Sequence, residues 1–75
     1  MGVSGSEKKA LKIIDEEGGE IPVQVVSRRM GIETSYARLL CTSLGRADYI
    51  DLLGTGVCRI TARGKSLARQ DKKGD

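Results

Sequence analysis

The spacing of apolar residues changes part-way along this chain, and that change limits the folds open to it. Across 34–46, Ala37, Leu40, Cys41 and Leu44 recur at the i, i+3, i+4, i+7 offsets of one helix face. From Tyr49 onward the period falls from about 3.6 residues to about 2. Ile50 and Leu52 alternate with Asp51, and Cys58 and Ile60 alternate with Arg59. The two runs, YIDLL and VCRIT, flank GTG at 54–56. Two alternating segments around a short glycine-containing loop predict a β-hairpin. A chain of 75 residues is one domain at most. Helix and hairpin must therefore share one core, which makes the fold class α+β.

Upstream, the helical period holds. A first helix is expected from a Ser4 or Ser6 cap to about Glu17, with Ala10, Leu11, Ile13 and Ile14 as its apolar stripe and Gly18 as its stop. Residues 1–5 and 71–75 are expected to be disordered tails around a domain at 6–70. Ile21 precedes a proline, which pushes it out of the helical region, so it should be buried in a short extended piece. Pro22 then suits the first turn of a second helix. In that helix Val23, Val26 and Met30 share a face with Ser27, while Gln24 and Arg28 point away. Gly31 stops it, and Ile32 plugs inward.

The third helix should run from Thr34 or Ser35 to Arg46 or Ala47. Gly45 costs it about 1 kcal/mol relative to Ala. The helix either ends there or continues to Asp48, a residue able to adopt the left-handed conformation. Thr61 is placed to cap a last helix that packs Leu67 and Ala68 inward, with Gly64 set for close packing against a neighbour.

There is no Phe and no Trp, so the core must be aliphatic. No apolar run approaches the ~20 residues of a membrane span, and MGVSGSEKK lacks the apolar centre of a signal peptide. The expectation is a cytoplasmic protein. Gly2 with Ser6 fits the myristoylation pattern in form, but that pattern is short and common. The absence of histidine removes the commonest general base, the Ser-His and Cys-His pairs, and most zinc sites. Cys41 and Cys58 form no CxxC, and both fall on inward faces, where a free cysteine acts as a small hydrophobe rather than a redox or metal pair. No catalytic residue, metal site or cofactor is therefore expected.

The net charge of +3 is unevenly placed. Residues 1–24 set three lysines against five carboxylates, a balance of −2. Residues 25–70 set eight basic groups (Arg28, Arg29, Arg38, Arg46, Arg59, Arg63, Lys65, Arg69) against Glu33, Asp48 and Asp51, a balance of +5. Such an excess suits a polyanionic partner.

The segment IPVQVVSRRMGIETSYARLLCTSLGRADYIDL, then GTG, then RITARGKSLA, resembles the winged helix-turn-helix domains of bacterial and archaeal transcription regulators. Gly31 matches the turn, and Ala37 and Leu44 match the inward residues of the family's recognition helix. ITARGKSL is similar to the family's LTxxGxxL ending. The resemblance implies a three-helix core with a short β-hairpin wing and a C-terminal helix. It implies duplex DNA as the partner, with the third helix in the major groove and the hairpin near the flanking backbone. On the third helix the DNA-contacting residues would be Ser35, Tyr36, Arg38, Leu39, Thr42, Ser43 and Arg46. Gln24 and Arg28 would meet the backbone from the second helix, Arg29 joins Arg28, Arg38 and Arg46 as a DNA-contacting set, and Arg59 lies on the hairpin strand with Arg63 and Lys65 beyond it.

Three features motivate an alternative. Leu39 lies at about 200° from Ala37, on the outward face. The GTG tip carries no cation, and Asp51 and Glu33 add negative charge nearby. Together with Val25, Leu39 could form the contact patch of a protein-interaction module or accessory subunit. With no long dimerisation helix in sight, a monomer or weak homodimer is expected.

Overall fold

A computed structural model describes residues 5–70. The elements run α1 (Gly5–Glu16), β1 (Glu20–Pro22), α2 (Val23–Met30), α3 (Thr34–Arg46), β2 (Ile50–Leu52), β3 (Val57–Ile60) and α4 (Ala62–Arg69). This is a small α+β domain of four helices and a three-stranded antiparallel sheet.

The first three helices end in the same way. In each, a left-handed residue directs its N–H, and that of the next residue, back to the last turn: Gly18 and Gly19 to Asp15 and Ile14, Gly31 and Ile32 to Arg28 and Ser27, Asp48 and Tyr49 to Gly45 and Leu44. This pairing satisfies carbonyls that a helix end otherwise leaves open. Gly31 adopts φ 70°, and Asp48, at φ 69°, is the one non-glycine residue with positive φ among the described residues. The third helix therefore passes through Gly45 to Arg46. Ile32 and Tyr49, which follow the left-handed residues, pack against the core.

The sheet order is β1-β3-β2, so β3 is central. The hairpin loop is the expected one: Leu53 N–H reaches Val57 O at 2.8 Å, Gly56 N–H reaches Leu53 O at 2.9 Å, and Gly56 is left-handed. This is the bulged three-residue loop in which glycine avoids a Cβ clash. The extended piece before α2 does more than link helices. Ile21 pairs with Cys58 and Glu20 with Arg59, which makes β1 an edge strand of the sheet. Pro22 ends that strand and flanks α2 rather than lying in its first turn (φ −67°, ψ 150°). Its missing N–H costs nothing on an edge.

Leu11 and Ile14 of α1, Val26 of α2, Cys41 and Leu44 of α3, and Ile50 and Cys58 of the sheet are fully enclosed at the centre. Thr61 binds α4 to the corner between α3 and β2. Its hydroxyl donates to Asp48 O at 2.8 Å and accepts from Gly64 N–H at 3.0 Å. Gly64 itself lies against Tyr49, where a Cβ would come within 2.1 Å of the Tyr49 carbonyl oxygen. Two expectations at the N-terminus change. Gly5 is helical rather than part of a tail, and Ser6 lies inside the first turn rather than capping it. Glycine is tolerated at a helix start, where the N–H groups have no intrahelical partner in any case. Ser4, the Gly2 pattern and the 71–75 tail lie outside the described residues. No helix among the described residues is long and apolar enough to cross a membrane.

Candidate nucleic-acid interface

The third helix divides along its length into two stripes. Ala37, Leu40, Cys41 and Leu44 are buried, as their spacing requires. Ser35, Tyr36, Arg38, Leu39, Ser43 and Arg46 are exposed, and Thr42 is half-buried. Leu39 is 67% exposed and Tyr36 45%; they are the two large apolar side chains on the described surface. On α2, Gln24 and Arg28 are exposed, while Val25 is only half-buried and packs partly on the core. A polar clamp sets the two helices relative to one another. The Ser27 hydroxyl, buried, donates to Gln24 O at 2.8 Å and meets the Thr34 hydroxyl at 3.3 Å. This contact ties the end of α2 to the start of α3, and no buried polar side-chain atom among the described residues lacks a partner. The serine in the apolar stripe of α2 was its only trace in the sequence.

Ion pairing sorts the arginines. Arg29, grouped from sequence with the DNA-facing set, pairs with Glu17 and, at 3.2 Å, with Glu16 at the end of α1. Arg69 forks onto both oxygens of Asp15 at 3.2 Å. Arg59 pairs with Glu20 at 3.1 Å. In the sheet register Arg59 also stands opposite Asp51, so the outer face of the sheet carries an acid–base–acid row, Glu20–Arg59–Asp51. Arg63 lies over the Tyr49 ring, 5.2 Å from its centroid. Arg28, Arg38 and Arg46 have neither an ion pair nor a ring contact among the described residues.

With Arg29 drawn off to α1, the other twelve residues expected to contact DNA fall in three places. Gln24, Arg28, Ser35, Tyr36, Arg38, Leu39, Thr42, Ser43 and Arg46 are carried by the clamped α2–α3 pair. Arg59 and Lys65 instead line a cleft with Gly18, Gly19 and Glu20 beside the end of α1. Arg63 is held at the α3–β2 corner through Tyr49. The hairpin tip, Gly54 and Thr55, is exposed and uncharged. No group of three His, Cys, Asp or Glu side chains among the described residues could hold a metal ion. Compared with known protein families, curated sequences and solved structures, the chain matches none.

Proposed function

We propose that this chain is a winged-helix DNA-binding protein acting in transcription regulation in the cytoplasm, and that the outer face of α3 is what meets duplex DNA. The observation that carries the reading is the sorting of the arginines. The carboxylates of 15–20 take up Arg29, Arg59 and Arg69, whereas Arg28, Arg38 and Arg46 stay unpaired on the α2–α3 pair. Unpaired, exposed guanidinium groups on one face are free to bind phosphate or the edges of guanine. The order of elements supports the architecture: two helices joined by a tight turn, then a hairpin, then a short capped helix.

In this arrangement α3 lies in the major groove. Arg38 and Arg46 donate to guanine O6 and N7 or to phosphate, and Ser35, Tyr36, Thr42 and Ser43 offer hydroxyls to phosphate. Leu39 can lie against a thymine methyl. Gln24 and Arg28 meet the backbone from α2. The hairpin approaches the flanking DNA without a cation at its tip, so the electrostatic contribution comes from few charges. Three phosphate-facing arginines correspond to a log–log salt slope of roughly −2.7. Fluorescence anisotropy with a mixed-sequence duplex tests this. Affinity should fall roughly 40-fold between 50 and 200 mM salt. Absence of binding at high micromolar protein in low salt would overturn the reading.

A second reading rests on Leu39 and Tyr36, whose exposure puts an apolar spot amid the arginines. As a protein-docking module, the domain would lose its partner on Leu39→Asp while keeping its fold. Recovery of the same proteins by wild type and variant in pull-downs removes this reading.

A further inference from the structure

Cys41 of α3 and Cys58 of β3 face one another across the core. Both are free and fully buried, and their sulfurs lie 3.3 Å apart in a hydrogen bond between residues 17 apart in sequence. A disulfide places its sulfurs at about 2.05 Å, so closing this pair asks for an approach of roughly 1.2 Å. The helix and the central strand already supply the opposed side chains that most pairs of cysteines in a small domain lack.

The two thiols differ electrostatically. The hydrogen bond with Cys41 pulls the Cys58 pKa below its ordinary value against the effect of burial, and the charge of Arg38 acts in the same downward direction. Cys41 is pushed up, by its hydrogen bond with Cys58 and by burial.

We propose that Cys41 and Cys58 form a redox site, a dithiol that a low-molecular-weight disulfide such as oxidised glutathione converts to an internal disulfide joining α3 to the central strand. In the first step the thiolate of one cysteine attacks one sulfur of the small disulfide, whose S–S bond breaks and releases one thiolate. In the second, the thiolate of the other cysteine attacks the protein sulfur of the mixed disulfide and releases the second small thiolate. The two electrons lost by the cysteines reduce the small disulfide, and the two thiol protons pass to the released thiolates. Because both sulfurs are buried, exchange proceeds through transient opening of the domain, at a rate set by the open population. The new bond closes the chain between α3 and β3, which restricts the unfolded ensemble and raises stability. The inference needs only the two sulfurs and stands apart from the DNA reading.

The test incubates the intact chain in glutathione buffers of rising oxidation, quenches with an alkylating agent, and reads mass, linkage and melting. Expected is a monomer lighter by two hydrogen atoms, linked between residues 41 and 58, with a dispersed amide spectrum and a melting point raised by roughly 10 °C. Cys58→Ala should show no such rise in oxidising buffer. Thiols that stay free, a product that stops at a glutathione adduct, a linkage between chains, or an oxidised form that melts lower or loses dispersion would each overturn the proposal. If Cys58→Ala does not fold, the wild-type linkage and melting shift decide alone.

Discussion

Two sides of this domain carry arginines, and they use them differently. On the side built from α1, β1 and α4, Arg69 forks onto Asp15, Arg29 reaches Glu16 and Glu17, and Arg59 sits on Glu20. On the α2–α3 pair, Arg28, Arg38 and Arg46 have no ion-pair or ring partner among the described residues. The first side is finished by the protein's own contacts, and the second presents charge outward. A count of basic residues treats both alike; only the pairing separates cations that hold the domain from cations open to another molecule.

Mutations should separate the two sides. The largest effect is expected at Gly64, on the finished side. A methyl there would lie 2.1 Å from the Tyr49 carbonyl oxygen and 2.8 Å from Ile60 Cγ1. Because the backbone cannot yield cheaply, Gly64→Ala should cost about 3 kcal/mol or more in chemical denaturation. Its folded fraction should bind DNA as wild type does. Next comes the double reversal Arg38→Glu with Arg46→Glu. It should weaken duplex binding by roughly 100-fold or more in anisotropy titrations, and leave the denaturation midpoint nearly unchanged. Leu39→Ala should weaken binding by roughly 5- to 10-fold through a lost thymine contact, with stability altered by less than about 0.5 kcal/mol. The smallest effect belongs to Arg69→Ala. Its ion pair is largely exposed on the arginine side, so its loss should cost at most about 1 kcal/mol by denaturation. Binding should not change. A stability loss from Arg38 and Arg46, or a binding loss from Arg69, would blur the distinction between the two sides.

Much of the fold was legible locally. The inner stripe of α3, the stop at Gly31, the GTG loop and the Thr61 cap all depend on residues near one another in sequence. What the sequence did not reveal involves partners far along the chain. Three residues at Glu20–Pro22 carry too little pattern to announce that they pair with β3, 35 or more positions away by the register Glu20↔Arg59 to Pro22↔Val57. The same holds for Arg69 with Asp15, 54 residues apart, and for the cysteine pair. The site was legible in outline: the outer stripe of α3 followed from its period. The loss of Arg29 to α1, and the placing of Arg59 and Lys65 beside the end of α1, followed from tertiary pairing and were not.

Contact between DNA and the open α2–α3 face can be read residue by residue. The most direct measurement is an NMR titration of the isotopically labelled chain with a mixed-sequence duplex at low salt. Amide shifts are expected at Arg28 and along Ser35, Arg38, Leu39, Thr42, Ser43 and Arg46, with α1 and α4 nearly silent. Shifts confined to α1 and α4, or none at high micromolar DNA, would contradict that contact.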